Sequence, residues 1–174
     1  MYRFILFALL SVPITWFSWK PLHDRRAHGF YRYFAFEALL ALVLLNAPQW
    51  FVHPFSILQI VSWLCLLASL FMAVHGFWLL RQVGRPHGSF ENTTVLVEIG
   101  AYHIIRHPLY SSLFWLVWGA CLKSISLPGV LLTLVTCAFL FATAVVEEQE
   151  NLTHFGPAYT AYMRRTKMFI PFLF

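Results

Sequence analysis

The sequence predicts an all-α protein, a polytopic bundle of about five transmembrane helices followed by a short C-terminal amphipathic helix. Hydrophobic residues make up 60% of the 174-residue chain and charged residues only 11%, whereas soluble domains are roughly half apolar and a quarter charged. Five apolar runs approach the length of about 20 residues that spans a bilayer. The basic residues collect between these runs, as they do in membrane proteins. We therefore expect an integral, multi-pass membrane protein.

The apolar runs set the order of the predicted helices. They lie near residues 2–19, 30–48, 54–80, 107–123 and 128–148. The first run lacks a small-residue cleavage site and ends in Trp16 and Trp19, which favours a retained helix over a signal peptide. Because no linker rich in serine, glycine or charge divides the chain, we predict a single membrane domain over residues 1–174.

The basic residues predict the orientation of the bundle. With five spans, only Arg3 and Lys123 fall on one side, and ten of the twelve basic residues fall on the other: Lys20, Arg25, Arg26, Arg32, Arg81, Arg85, Arg106, Arg164, Arg165 and Lys167. Lysine and arginine mark cytoplasmic loops, so we expect the N-terminus outside and the C-terminus in the cytoplasm. The segment 46–54 contains neither residue type and carries Trp50, as is typical of an outer turn.

The region after the fifth run predicts a short surface helix. The pair Gly156-Pro157 interrupts the preceding helix, and proline suits the first turn of a new one. Tyr159 and Tyr162 then recur at three-residue spacing opposite the arginines at 164–165. This pattern is typical of an amphipathic helix that lies on the membrane surface.

Two polar clusters lie at the cytoplasmic ends of apolar runs, where ionisable residues need partners. The first surrounds Arg106 and His107 at the start of the fourth run. Pro108 should begin that helix and leave His107 extended or capping. The helix N-terminus beside Arg106 would favour an anionic ligand group; the alternative is that both side chains extend to the interface as topology signals.

The second cluster contains Glu147, Glu148 and Glu150 at the end of the fifth run. Carboxylates at a helix C-terminus oppose the helix dipole and need compensation. The compensation could come from salt bridges with Arg106 and His107, or from a ligand that carries a cation or hydroxyl groups. Both alternatives stay open from the sequence alone.

Other functional classes receive little support from the residue pattern. The net charge is +5, but the basic residues form no stripe with interleaved aromatics, so we expect no nucleic-acid partner. Cys65, Cys121 and Cys137 lie inside apolar runs without a C-x-x-C spacing, and the histidines lack metal-ligand spacing. We therefore predict no metal site and no disulfide framework.

Taken in order, the polar clusters resemble a known superfamily. The chain reads Gly100-x-Tyr102-x-x-x-Arg106-His107-Pro108-x-Tyr110, then Glu147-Glu148, then Phe155-Gly156-x-x-Tyr159-x-x-Tyr162. This order resembles the isoprenylcysteine carboxyl methyltransferase and phospholipid methyltransferase superfamily of integral membrane methyltransferases. The resemblance covers roughly residues 94–171 and implies an enzyme that uses S-adenosyl-L-methionine.

The resemblance also implies roles for individual residues. It places Arg106 and Glu148 as catalytic residues, with Arg106 supporting the cofactor or the methyl acceptor. Residues 81–174 would bind the cofactor, and the helices within 1–80 would form a scaffold on the acceptor side. The residues implied to contact S-adenosyl-L-methionine are Leu96, Val97, Tyr102, His107, Pro108, Leu109, Tyr110 and Glu147.

Three positions depart from the family pattern. Ser112 stands where the family often has glycine, and Thr166 interrupts a common Arg-Val-Pro ending. We expect little consequence from either. Thr143 replaces an arginine that contacts the prenylcysteine substrate, which argues against prenylcysteine as the acceptor.

These observations predict methyl transfer to a small or lipidic acceptor that partitions into the membrane. The acceptor could be a thiol, a carboxylate or an amine, and the reaction mainly needs orientation and a dry site. Glu37 or His75 could take a proton from the acceptor; the alternative is that each is a hydrogen-bonded residue of the bundle. Membrane lipids are the other expected partner, and no signal indicates an oligomeric state.

Two alternative functions remain from the sequence. Membrane sterol reductases share a related C-terminal architecture, so one alternative is a reductase that uses NADPH. The other is a non-catalytic scaffold subunit that binds partner helices, although no sustained pattern of small residues favours it. For localisation, the size and the absence of organelle signals favour a prokaryotic inner membrane.

Overall fold

The described part of the chain is all-α, as predicted. The computed structural model describes residues 2–87 and 93–171. Within these residues the α-helices are α1 (Tyr2–Ser18), α2 (His28–Asn46), α3 (Ile57–Gln82), α4 (Pro108–Leu122), α5 (Leu127–Phe155) and α6 (Pro157–Arg165). Short 3-10 turns cover Pro21–His23, Ala47–Gln49 and Gly100–His103. The described residues contain isolated β-bridges but no strand.

Each of the five apolar runs forms a helix, and three of these helices are long enough to cross a membrane. They cover His28–Gln49, Ile57–Gln82 and Leu127–Phe155, with 22, 26 and 29 residues. The helices Tyr2–Ser18 and Pro108–Leu122 are apolar but shorter. At 1.5 Å per residue, α4 extends only about 22 Å, less than the roughly 30 Å hydrocarbon core.

The outer surface confirms an integral membrane protein. Large apolar side chains are exposed along α1 and α3, including Phe4 at 79%, Phe17 at 84% and Phe71 at 69%. Contiguous exposed apolar surface on this scale is not tolerated by soluble monomers. Lipid tails solvate such side chains without the cost that water would impose.

The helices form two compact units. Unit 1 contains residues 1–66 and 114–147, and unit 2 contains residues 67–113 and 148–174. The predicted sequence halves at 1–80 and 81–174 stay a prediction.

Polar side chains connect the helices of unit 1. The Asn46 amide donates to the carbonyl of Ala120 at 2.8 Å, and the Ser62 hydroxyl donates to the carbonyl of Gly119 at 2.7 Å. A Cβ added to Gly119 would lie 2.9 Å from the Leu66 side chain. Glycine is therefore required for the close approach of α3 and α4.

Lys123, directly after α4, is held in an aromatic environment in unit 1. Its side chain donates to Gln59 Oε1 at 3.1 Å and lies 3.5 Å from the centre of the Trp63 ring. The Gln59 side-chain amide donates a hydrogen bond to the Lys123 carbonyl at 3.0 Å. Only 3% of Lys123 is exposed, so its charge is stabilised by the ring face and one amide.

We expect Lys123→Ala to lower the free energy of unfolding by about 1–3 kcal/mol, because a buried cation–π contact and a buried hydrogen bond are lost together. Thermal unfolding of the detergent-purified protein measures the change. Lys20→Ala is the matched control, because Lys20 is exposed and should alter stability by less than about 0.5 kcal/mol. Equal effects of the two substitutions would contradict the assigned role of Lys123.

The core of unit 2 forms where the end of α3 meets the segment before α4. Leu79, Val97 and Tyr102 are buried together, with Leu80 and Val83 packed against them. Gly100 turns the chain at this point with φ +60°, a conformation that side chains other than glycine rarely adopt. This turn places residues 100–110 against α3. We call them the cofactor segment below, because the family resemblance predicts that they contact the cofactor.

Candidate functional site

The cofactor segment enters α4 as predicted from the sequence. The helix begins at Pro108, and the carbonyl of His107 accepts the backbone N–H of Ser111 at 2.9 Å. His107 is buried. Its ring stacks on Tyr110 with centroids 5.4 Å apart and also contacts Phe169.

Arg106 makes a buried ion pair with Glu148. The Nε atom of Arg106 lies 2.6 Å from Oε1 of Glu148, and the two side chains are 10% and 7% exposed. The guanidinium also donates through Nη1 to the carbonyls of Thr166 at 2.5 Å and Met163 at 3.3 Å. Arg106 therefore joins Glu148, about two turns before the end of α5, to the end of α6.

Glu148 accepts from both basic residues of the first cluster. His107 Nε2 lies 3.3 Å from Oε1, the same oxygen that accepts from Arg106. Within residues 2–87 and 93–171, Oε2 of Glu148 makes no hydrogen bond, and it is not among the enclosed polar atoms that lack a partner. Oε1 of Glu148 is therefore occupied by Arg106 and His107, whereas Oε2 can accept a hydrogen bond from a ligand.

The two predicted polar clusters thus meet in unit 2. For Glu148, the salt-bridge alternative is observed directly, and the second oxygen leaves room for the ligand alternative as well. Glu147 precedes it in α5 and is half-buried, at the end of unit 1. Glu150 is exposed.

The other implied contact residues occupy distinct places in unit 2. Val97 and Tyr102 belong to the buried core, and Leu96 is half-buried beside them in sequence. Leu109 and Pro108 pack on α3 at Gly76, where an added Cβ would lie 3.3 Å from Leu109 and 3.4 Å from Pro108. The fold brings these residues into one unit, while their contact with a cofactor stays a prediction.

The C-terminal segment, residues 162–169, holds the cofactor segment through its backbone. The backbone N–H groups of Arg106 and His107 donate to the carbonyls of Lys167 at 2.7 Å and Met168 at 3.2 Å. In return, the N–H of Lys167 donates to the carbonyl of Ile104 at 3.0 Å. The two segments therefore run side by side as a short parallel pairing.

Two hydroxyl groups reinforce this pairing. Tyr162 donates to the carbonyl of Tyr102 at 2.6 Å, and the Ser111 hydroxyl lies 2.8 Å from the carbonyl of Phe169. Burial raises the pKa of the Tyr162 hydroxyl, so it stays protonated as a donor. Sequence reasoning identified Tyr162 only as a motif residue and missed Ser111, because a serine in an apolar run carries no distinctive signal.

The contacts of Thr166 bear on the departure from the family ending. Arg106 is held by the carbonyl of Thr166, and every residue type provides a carbonyl. The Thr166 side chain donates to the carbonyl of Tyr162 at 2.7 Å, within the end of α6. The threonine therefore keeps the backbone group that holds Arg106, which supports the expectation of little consequence.

The chain is similar to a known protein family and to a curated relative. The sequence profile of the phospholipid methyltransferase family matches residues 57–158, which is more than half of the chain and includes Arg106, His107 and Glu148. Methanethiol S-methyltransferase 1 from Bradyrhizobium diazoefficiens is 24% identical over 170 residues, which cover 97% of this chain and 53% of that relative. The chain therefore spans about half the length of this curated relative. No solved structure matches.

Proposed function

We propose, because this chain belongs to the phospholipid methyltransferase family, that it is a membrane methyltransferase whose methyl donor is S-adenosyl-L-methionine. The observation that carries the proposal is the buried Glu148, whose Oε1 is held by Arg106 and His107 while Oε2 has no partner in the described chain. Because Oε2 is neither enclosed nor hydrogen-bonded within the described residues, it can accept a hydrogen bond from a ligand that enters the site.

The chemistry of the cluster fits the proposed donor. S-adenosyl-L-methionine has an ammonium group and ribose hydroxyls, either of which can donate to Oε2 of Glu148. Its sulfonium and its purine ring suit aromatic faces such as those of His107 and Tyr110. Leu96, Val97, Tyr102, Pro108, Leu109 and Glu147 complete the proposed contact set.

The residues of the chain mainly provide position and exclusion of water. When bound, the donor supplies an electrophilic methyl group, and its transfer requires a near in-line arrangement with the acceptor. Glu148 binds the donor, and Arg106 acts as a positioning residue that neutralises and orients Glu148. The surrounding apolar side chains keep the site dry, which strengthens these electrostatic contacts.

A thiol is the proposed methyl acceptor. The relative named methanethiol S-methyltransferase supports a small apolar thiol. Thr143 supports the exclusion of prenylcysteine, because its hydroxyl donates to the carbonyl of Phe139 in its own helix at 2.7 Å and provides no cation for a carboxylate. We further propose that the donor enters from the cytoplasmic side, where ten of the twelve basic residues lie in the predicted topology.

Calorimetric titration with S-adenosylhomocysteine, the demethylated product, tests this function. We expect saturable binding by the wild type and at least about 10-fold weaker binding by Glu148→Gln, because the amide cannot pair with Arg106 and His107 as a carboxylate does. Glu150→Gln is the matched control, since Glu150 is exposed, and it should bind as the wild type does.

Absence of binding by well-folded wild-type protein would exclude the proposed donor and direct the same titration to NADPH. Equal weakening by Glu148→Gln and Glu150→Gln would show that Glu148 has no special role. A thermal unfolding curve of each variant shows whether a loss of binding is caused by misfolding.

A further inference from the structure

His75 is an ionisable residue of unit 2 that the proposed donor site does not use. It lies in α3, a helix that is otherwise strongly apolar up to Arg81. A polar side chain in such a helix normally satisfies its hydrogen bonds inside the bundle. Within residues 2–87 and 93–171, however, neither ring nitrogen of His75 makes a hydrogen bond.

The ring of His75 is oriented by two contacts. It stacks on Phe71 with centroids 5.7 Å apart and an interplanar angle of 5°. Its Nε2 edge faces Gly100, because a Cβ added to Gly100 would lie 2.8 Å from that nitrogen. His75 therefore lies against the first residue of the cofactor segment, one helical turn before the core residue Leu79.

The ring nitrogens of His75 are also not enclosed. The residue is half-buried, and the enclosed polar atoms without partners among the described residues are Glu37 Oε1 and Trp50 Nε1. Glu37, the other candidate from the sequence, already accepts a hydrogen bond from Ser11 at 2.6 Å and belongs to unit 1. Of these two candidates, only His75 has accessible ring nitrogens without a hydrogen bond and also lies beside the cofactor segment.

We propose that His75 is a catalytic residue that binds the thiol acceptor and removes its proton, an inference that rests on the proposed function. The S–H bond breaks as the proton moves to a ring nitrogen of His75, and the acceptor sulfur forms a bond to the methyl carbon. The bond between that carbon and the donor sulfonium breaks, which leaves a neutral thioether. His75 then releases the proton to water, so atoms and charge balance.

The test compares two thiols that differ in acidity. An alkanethiol is largely protonated at neutral pH and needs a base, whereas benzenethiol is largely ionised. General base catalysis contributes about 10²–10⁴-fold, so His75→Gln should reduce kcat with an alkanethiol by at least about 10²-fold. The same substitution should reduce kcat with benzenethiol by less than about 10-fold.

Two further variants distinguish catalysis from folding. Phe71→Leu removes the stacking partner of His75 at an exposed position and should lower kcat with the alkanethiol selectively, by a smaller factor. His23→Gln is the control, because His23 is exposed and belongs to unit 1, outside the cofactor segment. It should leave both reactions unchanged.

Binding of S-adenosylhomocysteine separates this inference from the proposed function. We expect His75→Gln to bind it with the affinity of the wild type. Loss of that binding, or an equal loss of rate with both thiols, would overturn the role of His75 and leave the methyltransferase proposal intact. Failure of the wild type to bind would instead overturn the proposed function on which the inference rests.

Discussion

Arg106→Ala should lower the free energy of unfolding by about 3–5 kcal/mol, the largest stability effect we expect in this protein. The substitution leaves the carboxylate of Glu148 buried without its main partner, and such a charge is far more costly than a broken surface pair. It also removes the donor to the carbonyls of Thr166 and Met163. Thermal and denaturant unfolding in detergent would measure the loss.

Arg165→Ala is the matched control for this prediction. Arg165 pairs with Glu98, but both side chains are substantially exposed, at 52% and 36%. Exposed ion pairs contribute about 0–1 kcal/mol, so this variant should unfold close to the wild-type midpoint. If Arg106→Ala were no more destabilised than Arg165→Ala, the buried contacts of Arg106 would not be what holds the cofactor segment to α5 and to the C-terminal segment.

A conservative variant distinguishes charge from geometry at the same position. Arg106→Lys keeps one positive charge but lacks the planar guanidinium. A single ammonium group cannot contact Glu148, Thr166 and Met163 together. We expect it to recover part of the stability while S-adenosylhomocysteine binding stays weakened. Full recovery of binding would show that charge alone positions Glu148.

Gly100→Ala should reduce both stability and donor binding. The residue has φ +60°, which costs an alanine about 1–2 kcal/mol, and the added Cβ would lie 2.8 Å from His75 and from Leu79. Such overpacking costs about 1–3 kcal/mol more. We expect the unfolding free energy to fall by roughly 2–5 kcal/mol, with S-adenosylhomocysteine affinity at least about 10-fold lower.

Gly156→Ala provides the comparison for strain without a clash. Gly156 also has a positive φ, +58°, but an added Cβ would meet no atom within 4 Å. Its unfolding free energy should fall through backbone strain alone, and its affinity for S-adenosylhomocysteine should change less than that of Gly100→Ala. Equal losses of affinity would indicate that contact with His75 and Leu79 does not shape the site.

Much of the fold could be predicted from the sequence because its signals are local. Each apolar run forms a helix, Pro108 and Pro157 begin α4 and α6, and Tyr159 and Tyr162 are the buried side of α6. Helix length was less predictable. The run at 107–123 suggested a full span, but α4 ends after 15 residues at Leu122, where Lys123 turns back to bond with Gln59.

The residues of the candidate site could be predicted from the sequence, but their hydrogen-bond partners could not. The sequence alone determined which residues carry the chemistry, since Arg106, His107 and Glu148 are side chains whose types and spacing form a recognisable pattern. It could not decide whether Glu148 is satisfied by salt bridges or by a ligand. The structure shows that one oxygen serves Arg106 and His107 while the other has no partner in the described chain.

Only the tertiary structure decided which groups hold this site in place. Arg106 is held by the carbonyls of Met163 and Thr166, and a carbonyl is common to all residue types, so no sequence pattern reveals it. His75 meets Gly100 because a glycine with positive φ lets the chain approach α3 closely. A contact between residues so far apart in the sequence depends on packing, which local patterns do not encode.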